Sequence, residues 1–120
     1  MAQSKVAIVV LADTDTHEAL GRVVNALEAV KEFKEARDEV QLIFDGAGTK
    51  WVAELSDPEH KAHTFFTAVQ DKVAGVCAFC AAAFGVTERT QACQVPLLSE
   101  YEGHPSFRKL LAGGYHILTF

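Results

Sequence analysis

The feature that most constrains this chain is Val6-Ala-Ile-Val-Val-Leu11, an unbroken apolar run rich in β-branched residues. A strand with one wet face alternates apolar and polar side chains. A run with no polar position suits a central strand covered on both faces, as in a parallel sheet flanked by helices. The neighbouring residues fit that reading. Asp13-Thr-Asp-Thr16 supplies turn and helix-start residues, with Asp15 and Glu18 at capping-box spacing. Leu20, Val23, Val24, Leu27 and Val30 then recur at helical intervals, and Arg22, Glu28, Lys31 and Glu32 take much of the opposite side. A strand leading into a long amphipathic helix is half of a βαβ unit.

The alternation continues to the last residue. Val40–Phe44 reads as a second strand, ending at Asp45-Gly-Ala-Gly-Thr49, with a short helix over 50–55. After the break at Pro58, residues 60–72 are expected to return to helix, with Phe65, Phe66 and Val69 inward. Val73–Cys77 reads as a third strand running into an alanine-rich helix closed by Gly85. Residues 94–98 make a weak fourth strand interrupted by Pro96. A helix over 105–112 stops at Gly113-Gly114, and Tyr115–Phe120 is the last strand. Strands alternating with helices predict an α/β fold of three layers, α/β/α, around a mainly parallel five-stranded sheet. Residues 1–120 are expected to form one domain, a length that buries enough surface for a core without staples.

Composition narrows the function classes. A net charge of -5 and scattered Lys and Arg give no electrostatic reason to approach nucleic acid or an anionic membrane. The densest basic patch, 31–37, is interleaved with Glu32 and Glu35 and reads as a solvated helix face. No apolar run approaches the roughly 20 residues of a membrane span. The short polar start does not read as a signal peptide. The three cysteines, an odd number clustered late in the chain, argue for free thiols and a cytoplasmic location. No cofactor is implied.

In open α/β sheets ligands bind beyond the carboxyl ends of the strands. Three segments are expected there, and together they could gather carboxylates, backbone amides and a thiol. In the first, Asp13 and Asp15, with His17, could be ligand-binding or acid/base groups, although helix capping is their more ordinary role. In the second, Asp45, Gly46, Gly48 and Thr49 could hold an anion against backbone amides at a helix start. That segment lacks the Lys-Ser/Thr ending of a P-loop and the three-glycine dinucleotide fingerprint, and a tight turn also accounts for its glycines.

The third segment is Cys77-Ala-Phe-Cys80. A cysteine at a helix start is expected to have a lowered pKa and to act as a nucleophile, with Cys80 one turn on as a candidate resolving thiol. Structural zinc needs four ligands, commonly two such pairs, and only Cys93 and dispersed histidines remain, so no metal site is expected. A thioredoxin-type site would follow an early strand, whereas this one follows the third. Cysteines that simply pack against the sheet are the plain alternative. His60 and His63, three apart, lack a third ligand. His104, in a loop before a helix, could cap that helix or reach Cys77 as an acid/base group.

The order of elements, the opening Lys5-Val-Ala-Ile-Val-Val10, the closing Gly114-Tyr-His-Ile-Leu-Thr-Phe120, and Val76-Cys77 with Gly85-Val86 beyond it resemble the DsrE/DsrF-like sulfur-relay family. The resemblance implies a flavodoxin-like domain that assembles into trimers or hexamers. It also implies a cysteine, here Cys77, that receives sulfane sulfur from a donor protein as a persulfide and passes it to an acceptor.

Overall fold

In the computed structural model, which describes residues 3–120, the apolar run forms β1 (Lys5–Val10), buried from Val6 onward. It leads into α1 (His17–Glu35) and β2 (Glu39–Phe44). Val6, Ile8 and Val10 of β1 and Val40, Leu42 and Phe44 of β2 join Val23, Leu27 and Val30 of α1 in one core. Each such side chain contributes about 1.5–3 kcal/mol by leaving water. A 3₁₀ turn over Gly46–Lys50 precedes α2 (Trp51–Leu55), and α3 (His63–Thr67) comes next. Then come β3 (Val73–Cys77), α4 (Ala78–Ala83), α5 (Thr87–Ala92), β4 (Leu97–Leu98), α6 (Phe107–Ala112) and β5 (His116–Thr119).

The expected α/β/α architecture is present, and all five strands are parallel, in the order β4-β3-β2-β1-β5. That order is its own variant of the doubly wound sheet, distinct from the 2-1-3-4-5 of flavodoxin. Parallel crossovers are right-handed, so the three steps from β1 to β4, all in one direction, place α1–α5 on one face. The return from β4 to β5 runs the other way and places α6 on the opposite face. Side-chain positions agree: Val76 lies in the α1-side core, whereas Gln41 and Ile43 face Leu110 and Tyr115. The loops after neighbouring strands β3 and β4 therefore leave toward opposite faces. That divergence opens a crevice at their carboxyl ends, the switch point where such sheets hold ligands.

Local structure departs from the sequence expectation in several places. The N-cap of α1 is Thr16, extended at φ -133° and accepting from Ala19 N–H at 3.0 Å, while Asp15 stays exposed. The helix expected over 60–72 is reduced to α3 and a 3₁₀ turn at Gln70–Lys72. Phe66 and Val69 are buried, but Phe65 is 42% exposed, because adjacent residues cannot share a helix face. Pro96, without an N–H, shortens the fourth strand to two residues. α6 begins at Phe107, two residues later than expected, where Ser106 caps it. α5 was not anticipated: Thr-Glu-Arg-Thr-Gln-Ala carries no apolar periodicity.

Candidate functional site

Cys77 ends β3 at the switch-point crevice and is fully buried. It is also the N-cap of α4, its Sγ accepting from Cys80 N–H at 3.4 Å. Gly75 sets how close β4 comes, since a Cβ there would stand 2.7 Å from the Pro96 carbonyl oxygen and from Leu98. Beyond β4 the chain turns back on itself. Glu100 and Tyr101 N–H both donate to the His104 carbonyl, at 2.8 and 2.9 Å, and His104 N–H donates to Tyr101 at 2.8 Å. Glu102 and Gly103 form the tip, both with positive φ, at 49° and 85°. Phe79 N–H, one of the free donors of the first turn of α4, donates to the Gly103 carbonyl at 2.8 Å and clamps the loop to the helix. The His104 ring lies against the Phe79 ring, centroids 4.8 Å apart.

This clamp brings His104 Nδ1 to 3.3 Å from Cys77 Sγ. From the other side comes Asp45, directly after β2 and only 7% exposed. Its Oδ1 accepts from Gly46 N–H at 2.8 Å and from Cys80 Sγ at 3.5 Å. One ligand-capable atom from each of Asp45, Cys77, Cys80 and His104 lies within 4.8 Å of the other three. Beside the cluster a cavity of about 760 Å³ is lined by Asp45, Tyr101, His104, Phe107 and Arg108 among others.

The helix-start argument for an acidic Cys77 thiol does not survive burial. Desolvation pushes the thiol from an ordinary 9.0 up to about 12, with the Cys80 side chain and the Asp45 carboxylate adding to the rise. The Cys80 N–H opposes it. A helix N-terminus favours a charge by about 0.3–1 kcal/mol, and α4 is only 6 residues long, so the loss of water outweighs it.

The other candidates supply no ligand atom to this cluster. Asp13 pairs with Lys50 at 2.5 Å, and its carboxyl is held below the ordinary range by that contact and by Thr14 N–H. The turn after β2 has its polar groups engaged internally: Gly46 N–H on Asp45 Oδ1, Gly48 N–H on the Asp45 carbonyl, and the Thr49 hydroxyl on the Gly46 carbonyl. An anion arriving there would meet the Asp45 carboxylate instead of the expected amides. Gly48 is needed for packing, since a Cβ would stand 2.2 Å from the Val10 carbonyl oxygen. His60 and His63 each bond backbone through Nδ1, to Ala62 N–H and the Leu55 carbonyl. Cys93 packs, half-buried, against the core.

Sequence reasoning did not anticipate the Asp45–Cys80 contact or the clamping role of Phe79. The expectation of no metal site looked for a second cysteine pair, whereas the structure gathers Asp45 and His104 around the first. Gly103 and Pro105, residues that favour turns, are the local signals that the loop folds back. Among the described residues no helix is long and apolar enough to cross a membrane.

The model of the DsrE/DsrF-like family matches residues 4–120. The chain is 33% identical over 96 residues to an uncharacterised protein, MJ0733, of Methanocaldococcus jannaschii, covering 80% of this chain and 78% of that protein. A conserved protein of unknown function from Bacteroides thetaiotaomicron, BT1422, shares the fold with a TM-score of 0.60 at 19% identity, over 95% of this chain and 94% of that one.

Proposed function

The chain belongs to the DsrE/DsrF-like family, and from that premise we propose that it is a sulfur carrier in which Cys77 holds a persulfide. The observation that carries this reading is the Cys77–His104 contact of 3.3 Å at the switch-point crevice. A thiol held near pKa 12 is a poor nucleophile alone, but a neighbouring imidazole can take its proton as the reaction proceeds.

In the proposed step, a donor persulfide, R–S–SH, enters the adjacent cavity. His104 Nδ1 accepts the Cys77 proton, and the Cys77 sulfur attacks the terminal sulfur of the donor. The donor S–S bond breaks, and the departing R–S⁻ takes the proton back from His104. Cys77–SH and R–S–SH become Cys77–S–SH and R–SH, with no net oxidation. Transfer to an acceptor thiolate reverses the geometry. Cys80 could instead attack Cys77 Sγ, releasing hydrosulfide and leaving a Cys77–Cys80 disulfide.

Donor and acceptor proteins would dock at the mouth of the cavity. The same reading has copies of the chain assembling as trimers or hexamers, supported by the exposed apolar surface of Phe79, Tyr101 and Phe107 near the site. It also places the protein in a reducing compartment such as the cytoplasm, supported by three free cysteines.

Mass spectrometry of the protein after incubation with a small-molecule persulfide donor should show one added sulfur on the peptide containing Cys77. His104→Ala should slow that uptake more at pH 7 than at pH 10, where solvent hydroxide can replace the base. A Cys77→Ser variant that gains the same sulfur would refute the assignment.

A further inference from the structure

We infer that the cluster at the switch-point crevice, between the carboxyl ends of β3 and β4 with Asp45 reaching in from the end of β2, is a four-coordinate site for a zinc-class divalent ion, held by Cys77 Sγ, Cys80 Sγ, His104 Nδ1 and the Asp45 carboxylate. These atoms come from three separate parts of the chain and converge within 4.8 Å. In a tetrahedral zinc site with bonds of about 2.0–2.3 Å, neighbouring ligand atoms are about 3.3–3.8 Å apart. Two edges are already there, Cys77–His104 at 3.3 Å and Cys80–Asp45 at 3.5 Å. Closing the longest remaining separation takes a movement of about 1 Å, within the reach of side-chain rotation.

The donor set selects the ion. Two sulfurs, an imidazole and one carboxylate match zinc and its borderline-soft relatives, whereas magnesium and calcium demand oxygen. A buried carboxylate is ordinarily paired with a cation. Among the described residues Asp45 has no salt-bridge partner, and its contacts are a backbone N–H and a thiol. The ligands are braced as metal ligands usually are: Gly46 N–H on Asp45, Cys80 N–H on Cys77, and the Phe79–Gly103 clamp behind His104. Four protein ligands close the coordination shell, the pattern of a structural or protective ion rather than of one that activates water.

Binding is an exchange without electron transfer. Each thiol loses its proton as a metal–sulfur bond forms, so two protons leave per ion, and the imidazole binds through its neutral nitrogen. Because the ion and a persulfide need the same Cys77 sulfur, the two states exclude one another, and the inference does not rest on the sulfur-carrier reading.

Cobalt(II) is the probe, added to the reduced, metal-free full chain. One Co(II) per chain should bind, with the intense visible bands of tetrahedral thiolate coordination and two protons released at neutral pH. One equivalent of Zn(II) should bleach the spectrum. Cys80→Ala and His104→Ala should each weaken binding by about 100-fold or more, beyond the loss typical of outer-shell partners. Cys93→Ser should bind as the parent does. Should either alanine variant misfold, Asp45→Asn and the parent spectrum decide. A pale, octahedral Co(II) spectrum of the parent, or unchanged affinity in a folded ligand variant, overturns the proposal. Sulfur uptake measured separately on the metal-free protein distinguishes this failure from that of the carrier role.

Discussion

Asp13 and Asp45 stand just beyond neighbouring strands, at the same edge of the sheet, yet their electrostatic circumstances are opposite. Asp13 is half-buried and neutralised by Lys50 at 2.5 Å, in a turn further anchored by Trp51 Nε1–H on the Ala12 carbonyl at 2.9 Å. Asp45 is buried against two sulfurs and an imidazole, and among the described residues it has no salt-bridge partner. In the sequence both read as an acidic residue in a polar turn. The difference teaches that a strand-end carboxylate becomes chemically consequential only where the fold withholds its counter-charge. Asp13 serves local structure; Asp45 adds to the rise that burial imposes on the Cys77 thiol.

The largest effect expected of this contrast is on thiol reactivity. Asp45→Asn keeps an acceptor for Gly46 N–H but removes the charge that helps raise the Cys77 thiol. Its alkylation profile should move to lower pH, with labelling roughly tenfold faster for each unit of pKa lost. Asp13→Asn should leave the profile where it was. Equal shifts in the two variants, read by rate against pH, would break the comparison.

Alkaline stability sharpens it next. An unfolded chain ionises Cys77 near 9, but the folded protein holds the proton to about 12, so between those values the unfolded state binds fewer protons. Stability should therefore fall as pH rises through that window, by up to about 1.4 kcal/mol per unit from this one proton. The Lys50 contact acts in the same direction: its pKa is raised by Asp13, so its contribution is present below 10.5 and lost as pH rises through the higher folded value. Denaturation curves at several pH values should show Cys77→Ser flattening the first component. High salt should remove only the second, because a pair at the solvent-accessible surface is screened.

The smallest effect is expected at the Asp13 pair itself. Lys50→Ala should let the Asp13 carboxyl return toward its ordinary range, measurable by NMR titration, with little change in melting temperature. A large loss of stability would mean that Asp13 carries more than local structure.

What could be read from the sequence divides along a physical line. The central strands and α1 were legible because burial on both faces, or on one helical stripe, writes itself into the spacing of Val6–Val10 and Leu20–Val30. α5 was not, since Thr87–Ala92 has no such stripe and is held by its neighbours. Cys77 could be placed at a strand end, and His104 marked as a group able to reach it. The 3.3 Å contact could not be foreseen, because it depends on the Glu102–Gly103 tip and a hydrogen bond from Phe79. The thiol pKa went the wrong way for a related reason: helix position is local information, whereas burial belongs to the whole fold.

The strand order also gives the sheet contacts very different separations along the chain. β1 to β4 are joined by crossovers between nearest neighbours, whose pairings span comparatively short stretches of chain. β5 pairs Val6 with His116, across almost the whole chain, and the loop-closure entropy of that contact is offset only after β1 belongs to a sheet. Cys77 thus sits among the strands joined by nearest-neighbour crossovers, while His104 rides on the long return that leads to the final strand. The two halves of the proposed site therefore depend on contacts of different reach along the chain, and the Phe79–Gly103 hydrogen bond is what ties the histidine arm to the cysteine helix.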